Sequence, residues 1–350
     1  MAINSVQPVS DVCLPPSSSL REAIGVIDRG AVQACLVVDE SGKLLGMLSD
    51  GDVRRALLGG HSLEAKIGEL MNADFRFIGA PAHPRGAEDF MRRHQIRHVP
   101  VLTGSGQVEE FLTLSDPPAR GAGNLPVVVM AGGQGLRLRP LTEQVPKPML
   151  PVGNKPMLER IIDRCIAAGL TDIYLAVNYL ASQIRSYFGD GSRWGVEINY
   201  LEEQDALGTA GPLGLLPAEI EDSVVVLNGD VLTDVDLSRI IEFHWESGSS
   251  ATVALREFVV EVPYGVVSLD GFAVQAIQEK PSFRHFINAG VYVLRKEVID
   301  LVPSHQAMDM PDLIHDVIDK GFSVSGFPLH EEWLDVGSHE SLEQARGRHE

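Results

Sequence analysis

The sequence predicts a doubly wound, mainly parallel α/β domain over residues 126–350, preceded by a smaller α+β segment over 1–118. Three observations predict it. From Leu125 onward, apolar runs of strand length alternate with segments patterned like helices, as in α/β sheets with helices on both faces. Between residues 117 and 124 lies Pro-Pro-Ala-Arg-Gly-Ala-Gly-Asn, which has neither period-2 nor helical patterning and reads as a linker over about 119–125. Before that break the chain repeats itself.

The repeat comes first in the chain. Placing Ala23–Asp52 over Ala87–Asp116 needs no gap: Arg29 falls on Arg93, Val37 on Val101, Ser41-Gly42 on Ser105-Gly106, and Leu48 on Leu112. Each copy, about 9–58 and 66–118, reads helix, short apolar strand, Gly-containing turn, second strand, helix start. The strand pairs are Cys35–Val38 with Leu44–Leu48, and Val99–Leu102 with Glu110–Leu114. One copy alone cannot bury its apolar face, so the two are expected to pack together. Each carries a hydroxyl and a carboxylate three apart at the end of its second strand: Ser49 with Asp52, and Thr113 with Asp116. Helix capping and ligand binding both account for such a pair. In the second half, strands are expected at Val127–Met130, Ile173–Val177, Val196–Tyr200, Val224–Leu227, Ala251–Leu255 and Val291–Leu294. Helices are expected at Met157–Ala168, Ala181–Phe188 and Leu237–Ser247.

Composition narrows the function. The formal charge of −19 argues against nucleic acid or an anionic membrane as partner, because both need a basic surface. Any phosphate site must then be local, built from a few placed cations, backbone amides and a metal. No apolar run approaches a membrane span, and the N-terminus lacks the basic-then-apolar pattern of a signal peptide. The three cysteines form no CxxC spacing, and Cys35 and Cys165 sit in apolar runs as core thiols. A cytoplasmic location is expected. The eleven histidines show no zinc spacing.

The segment after the first strand of the second half is Ala131-Gly132-Gly133-Gln134-Gly135-Leu136-Arg137. Ligands bind beyond the carboxyl ends of strands in such sheets, and glycines there let backbone N–H groups approach phosphate oxygens. The turn has neither the P-loop nor the dinucleotide spacing. It leads instead to Arg137 and then to Pro146-Lys147-Pro148, two cations about ten residues apart on a stiffened loop, suited to clamping pyrophosphate.

On these residues the second half resembles the sugar-1-phosphate nucleotidyltransferases, a Rossmann-like family, across essentially all of 125–345. The resemblance implies roles residue by residue. Gly132, Gly133 and Gly135 would line the nucleotide site, and Arg137 and Lys147 would hold the triphosphate and stabilise the transition state. Leu136 stands where relatives commonly have Thr. Leu207-Gly208-Thr209-Ala210-Gly211 resembles the element beside the base, which makes Gly208 and Thr209 nucleotide-site residues. Glu203 falls at the base-reading position. A carboxylate only accepts, so it pairs with the N1–H and N2–H donors of guanine, whereas a uracil or thymine edge suits Gln. Gln204 is adjacent, so a shift of one residue reverses that inference. Asp230, in Asn228-Gly229-Asp230, and Asp335 would bind Mg²⁺, an oxygen-only set completed by substrate phosphates. Gly265, Glu279, Lys280 and Asn288 resemble the sugar site, with Lys280 meeting the sugar phosphate.

The first half resembles a tandem CBS-domain pair, carried by Gly46-Met47-Leu48-Ser49-Asp50-Gly51-Asp52. That implies an adenosine-type nucleotide on Ser49, Asp52, Thr113 and Asp116, although Glu109-Glu110 stands where the second copy should repeat Gly46. CBS pairs often associate, so a homo-oligomer is expected. The combined architecture resembles guanylyltransferases acting on glucosamine-1-phosphate in legionaminic-acid-type pathways. Mannose-1-phosphate, or uridylyl or cytidylyl transfer to another hexose phosphate, are the competing expectations. An inactive regulatory subunit and a ligand-free CBS scaffold are the readings from other classes.

Overall fold

The computed structural model describes residues 3–6, 8–30, 33–94, 96–114, 125–220 and 222–348, excluding the side chains of 28–30. The chain forms two compact units, Met1–Pro117 and Pro118–Glu350.

The first unit contains β1 (Ile3–Ser5), β2 (Cys13–Leu14), α1 (Leu20–Gly30), β3 (Ala34–Val38), β4 (Leu44–Ser49) and α2 (Asp50–Leu58). Then follow β5 (Ile78–Gly79), α3 (Pro84–Arg93), β6 (His98–Leu102) and β7 (Val108–Leu114). The repeat read from sequence is exact in hydrogen-bond register. Val37 opposes Gly46 and Val101 opposes Glu110, with the ladder shifting at Val37/Val38 and at Val101/Leu102. Leu14 pairs with Val37 as Ile78 pairs with Val101. The lead-in segments cross over: β1 pairs with β7 of the second copy, while Asn72, just ahead of the second copy, bridges Met47 of the first. Leu36, Leu48, Val53, Leu102 and Phe111 share one core, so the copies bury each other's apolar faces.

The second unit contains β8 (Val127–Met130), β9 (Pro151–Val152), β10 (Lys155–Pro156), α4 (Met157–Ala167), β11 (Asp172–Val177), α5 (Ala181–Phe188), β12 (Glu197–Glu202), β13 (Val224–Asn228), β14 (Val231–Thr233) and α6 (Leu237–Ser247). It continues with β15 (Ala251–Glu261), β16 (Val266–Asp270), β17 (Ala273–Gln278), β18 (Ser282–Leu294), α7 (Lys296–Ile299), α8 (Met310–Asp319), β19 (Val324–Leu329), β20 (Trp333–Asp335) and α9 (His339–Gly347). The seven-stranded sheet has the order β12-β11-β8-β13-β18-β15-β19. Only β18 runs against the others, through antiparallel pairing with β13 and β15. Ile161 and Ile162 of α4, Ile184 of α5, and Ile240 and Ile241 of α6 pack on one face. Leu213, Leu313 and Val317 cover the other. Buried on both faces, β8 and β13 are continuous valine runs, which is why their apolar sequence did not alternate.

Two expected strands are longer than their apolar cores. Ala251–Leu255 extends to Glu261, and Val291–Leu294 starts at Ser282, because the two pair with each other beyond the sheet from Leu255↔Asn288 to Glu261↔Ser282. The strand expected at Val196–Tyr200 runs Glu197–Glu202. The linker expected at 119–125 falls, except for Leu125, outside the described residues.

Candidate active site

β8 ends at Met130, and Ala131 N–H still donates to Ala176 O at 2.9 Å before the chain turns. Gly135 closes the glycine turn with φ +61°, where a side chain would be strained; a Cβ there would lie 2.9 Å from both Lys147 Cβ and Thr142 Cγ2. The buried Thr142 hydroxyl donates to Gly135 O at 2.8 Å. The turn is therefore clamped against Lys147, the distant cation that the sequence paired with it. A short 3₁₀ turn, Leu136–Leu138, buries Leu138, while Leu136 is exposed.

Lys147 is itself buried and donates from Nζ to Asp230 Oδ2 at 2.6 Å. Asp230 follows β13 by way of Gly229, where a Cβ would meet Met130 O at 2.4 Å; only glycine lets the strand leave the sheet so close to β8. The β14–β20 pair brings in the far end of the chain: Val231 opposes Asp335, and Val336 N–H donates to Asp230 O at 2.9 Å. A Cβ at Gly337 would lie 3.0 Å from a terminal nitrogen of Arg137 and 3.2 Å from Asp335 Oδ1, so both groups crowd that glycine. Burial, reinforced by the charge of Asp230, pushes the Asp335 carboxyl above its ordinary range, with Lys147 and Arg137 opposing. Arg137, Lys147, Asp230 and Asp335, spread over two hundred residues, thus converge. Two carboxylates held together, Asp335 at a cost to its own ionisation, are a donor set that fits a hard divalent cation. Among the described residues no group of three or more His, Cys, Asp or Glu could hold a metal. Asp230 and Asp335 would therefore need substrate oxygens to complete a coordination shell.

Glu203 stands on the other side of the glycine turn. A Cβ at Gly132 would lie 2.4 Å from Glu203 Oε1, so the carboxylate occupies the space that this glycine leaves. Leu207 N–H donates to Glu203 Oε2 at 2.8 Å, and Asn178 Nδ2 donates to Glu203 O at 2.8 Å. Burial raises the Glu203 pKa, and the Leu207 bond opposes the rise. Gly208, at φ +78°, packs where a Cβ would meet Met308 O and Asp309 Oδ1 at 2.7 Å. Thr209 serves a different end: its hydroxyl donates to Asp309 Oδ1 at 3.2 Å and accepts from Met310 N–H at 2.8 Å, anchoring the start of α8.

The four residues of the expected sugar site divide. Asn288 lies where β15 and β18 leave the sheet, and its Oδ1 accepts from Gly290 N–H at 3.0 Å. Gly265, Glu279 and Lys280 sit together farther out: a Cβ at Gly265 would be 3.1 Å from Glu279 Oε2, and Lys280 N–H donates to Tyr264 O at 3.3 Å. Ser282, the first residue of β18, lies about 20 Å along the extended strand from Asn288, and Lys280, at φ +44°, precedes it. Among the described residues no hydrogen bond or ion pair ties Gly265, Glu279 or Lys280 to the Asp230 cluster.

Several residues that the sequence did not single out also shape the site. Asn228 opens the aspartate motif, and its Oδ1 is buried with no hydrogen-bond partner; a Cβ at Gly290 would meet its Nδ2 at 2.7 Å. The motif itself was the available signal. For Thr142, Asn178 and Asp309 no local signal existed, because each acts through contacts across the fold.

In the first unit, Ser49 and Asp52 form a capping box on α2. Ser49 N–H and Oγ donate to Asp52 Oδ2 at 2.8 and 2.6 Å, and Asp52 N–H donates back to Ser49 Oγ at 3.2 Å. Arg55 bonds Asp52 Oδ1 at 2.6 Å. Thr113 lies in β7 opposite Asn4 and His98, and Asp116 lies outside the described residues.

Comparison with known proteins places this geometry. A CBS domain matches residues 4–59. UTP–glucose-1-phosphate uridylyltransferase of Synechocystis sp. is 36% identical over 230 residues, covering 60% of this chain and 59% of that protein. Mannose-1-phosphate guanylyltransferase of Mycobacterium tuberculosis is 32% identical over 223 residues, covering 61% and 62%. The chain thus spans about three-fifths of the length of these curated relatives. The crystal structure of HddC from Yersinia pseudotuberculosis complexed with GMP-PN superposes with a TM-score of 0.52 at 26% identity, covering 65% of this chain and all of that one. The nucleotidyl transferase family matches residues 126–349, which takes in the glycine turn, Lys147, Asp230 and Asp335 alike, and the chain belongs to that family.

Proposed function

We propose that the second unit transfers GMP from GTP to a sugar-1-phosphate, with glucosamine-1-phosphate the favoured acceptor, giving a nucleotide-sugar and pyrophosphate for surface glycan synthesis. The observation that carries this reading is the convergence of Arg137, Lys147, Asp230 and Asp335 at the carboxyl ends of β8 and β13, with Glu203 against Gly132 on the other side of the turn.

In this reaction an oxygen of the sugar phosphate attacks the α-phosphorus of GTP. The new P–O bond forms as the bond to the β-phosphate oxygen breaks, and pyrophosphate leaves with that electron pair. The nucleophile is already an anion, so no general base is required. The barrier lies in bringing two anions together, and positioning with charge neutralisation lowers it. Arg137 and Lys147 contribute cations on a loop stiffened by Thr142 and Gly135. Asp230 and Asp335 would hold Mg²⁺, which when bound neutralises phosphate oxygens. Glu203, fixed by Leu207 N–H, would accept from the donor edge of guanine, and the GMP-PN complex of HddC supports a guanine nucleotide in this fold. Gly132, Gly133, Gly135 and Gly208 would line the nucleotide. Gly265, Glu279, Lys280 and Asn288 would meet the sugar phosphate, which requires the segment bearing the first three to approach the cluster.

Mannose-1-phosphate is the second acceptor, supported by the name of the mycobacterial relative, and uridylyl transfer is supported by that of the cyanobacterial one. Residues 1–118 would act as a tandem CBS pair binding an adenosine-type nucleotide, and both substrates point to the cytoplasm. Among the described residues no helix is long and apolar enough to cross a membrane. The test is pyrophosphate release with Mg²⁺, each common nucleoside triphosphate, and a panel of hexose- and hexosamine-1-phosphates. A GTP-selective signal supports the reading and names the sugar. A UTP or CTP signal keeps the transferase and discards the role of Glu203. Silence across the panel favours a regulatory subunit.

A further inference from the structure

Lys147 is engaged within the protein itself. Its side chain is 10% exposed, and among the described residues its one ion pair runs from Nζ to Asp230 Oδ2 at 2.6 Å. A buried ammonium needs an anion beside it, because an unpaired charge taken from water is costly. The backbone holds it to that partner. Pro146 and Pro148 flank it in a short 3₁₀ turn, and its Cβ backs onto the glycine turn, 2.9 Å from where a Cβ at Gly135 would lie. Asp230 is fixed from the other side: Val336 N–H donates to its carbonyl at 2.9 Å, and the next residue, Val231, pairs with Asp335.

Asp335 differs. Among the described residues it makes no ion pair, although Arg137 crowds the same glycine: a Cβ at Gly337 would lie 3.0 Å from a terminal nitrogen of Arg137 and 3.2 Å from Asp335 Oδ1. The two carboxylates are therefore unequal. One carries a lysine in hydrogen-bond contact, and the other is left to the cations around it.

On the reading that Asp230 and Asp335 hold the divalent ion, half of the donor set is thus taken by a side chain. Asp230 has a second oxygen and its side chain is 31% exposed, so the obstacle is charge and not space. An ammonium and a divalent ion on one carboxylate repel each other at short range, and the neutralised carboxylate attracts the ion less. Phosphate oxygens change that balance, since they complete the shell of such an ion and give the ammonium another anion. We propose that Lys147 is the resident counter-ion of the metal site: while no phosphate is bound it holds Asp230 and weakens the binding of a divalent ion there. Ion and phosphates then favour each other's binding by linkage, because both act on one internal pair. This is a role for Lys147 apart from any contact with phosphate.

Titration of the full-length protein with Mn²⁺ alone, with the free ion counted by electron paramagnetic resonance, tests this. Lys147→Met keeps the length and packing of the side chain and removes its charge. The variant is expected to bind Mn²⁺ about tenfold more tightly than the wild type, the low end of the effect of a unit charge at close range. Adding Asp230→Asn to that variant should abolish the gain. Lys147→Gln, neutral but able to donate to Asp230, should show the same gain and serves if Lys147→Met does not fold. Neutral variants that bind Mn²⁺ no tighter than the wild type overturn the proposal, because Lys147 would then support the site rather than fill it. A gain that survives Asp230→Asn overturns it too, since the ion would lie elsewhere. No arm measures turnover, so this result and the outcome of the pyrophosphate-release panel are separate.

Discussion

Replacing Glu203 with Gln tests the base-reading geometry most sharply. The two side chains have the same shape, so the change is one of hydrogen-bond polarity alone. Leu207 N–H needs an acceptor and takes Oε2 at 2.8 Å, while Asn178 fixes the backbone carbonyl at 2.8 Å. In the variant the amide oxygen must therefore stay on Leu207. Its NH₂ group is then forced to the Gly132 side, where Oε1 now lies and where the guanine edge would sit. Two charge-assisted bonds from N1–H and N2–H are replaced by donors facing donors. Charged hydrogen bonds contribute about 1.5–3 kcal/mol each, and part of the loss is recovered by reorientation, so about 3 kcal/mol is expected. In pyrophosphate-release kinetics this is a fall of about 100-fold in kcat/KM for GTP, with UTP, whose edge offers a donor and an acceptor, gaining on it. A GTP kcat/KM within threefold of wild type would refute the reasoning, because nothing else in the substitution could restore those bonds.

Three further outcomes are expected. Alanine at Lys147 should lower kcat by about 1,000-fold while costing only about 1 kcal/mol of stability, because the released Asp230 is partly exposed and water solvates it; an equal loss of kcat and fold would make Lys147 structural. Thr209→Val removes the acceptor for Met310 N–H, so thermal unfolding should begin about 2–4 °C lower, whereas an unchanged Tm with a tenfold higher KM for GTP would put the hydroxyl on the nucleotide. His244 is wholly buried beside the Thr252 hydroxyl, and burial, with Arg295 adding to it, pushes its pKa down to about 4. The unfolded chain binds a proton on this residue below its ordinary pKa while the native chain does not. Stability is thus lost as pH falls from about 6.5 towards 4, on the order of 3 kcal/mol in total; urea midpoints that fall equally in wild type and His244→Gln would remove His244 as the cause.

What the sequence revealed depended on whether the information was local. The repeat was legible down to its register, since Val37 over Val101 and Leu48 over Leu112 are spacings along one chain. The parallel core was legible for the same reason, as β8 and β13 are unbroken apolar runs. The outer halves of β15 and β18 were not, because they mix polar and apolar residues and gain their order from each other. In the site, Gly132, Arg137, Lys147, Asp230 and Asp335 stood out as motifs. Their grouping depends on β14 pairing with β20 across a hundred residues, which no local pattern shows. Thr209 illustrates the converse. Its motif placed it by the base, yet its hydroxyl anchors α8 through Asp309 and Met310, residues that carry no signal of their own. Ser49 and Asp52 satisfied both readings in sequence, and the structure uses them as a capping box.

The charge of the site explains how an acidic chain could handle polyanions. Arg137 and Lys147 meet Asp230 and Asp335, so the four formal charges cancel. A cluster of zero net charge gives a triphosphate no reason to enter, and the rest of the chain, at a net −19, opposes it. Screening confines that opposition to within about 8 Å at physiological salt, so the sign of the field at the phosphates is set by the cluster itself. One divalent cation on both carboxylates would turn the balance from zero to +2. The raised pKa of Asp335 fits this arrangement, since a carboxyl made reluctant to ionise by its own burial, and further by the charge of Asp230, is one that a cation relieves. Affinity for GTP should therefore depend far more steeply on divalent cation than on monovalent salt. A titration in which the two act alike would place the phosphates elsewhere than beside Lys147.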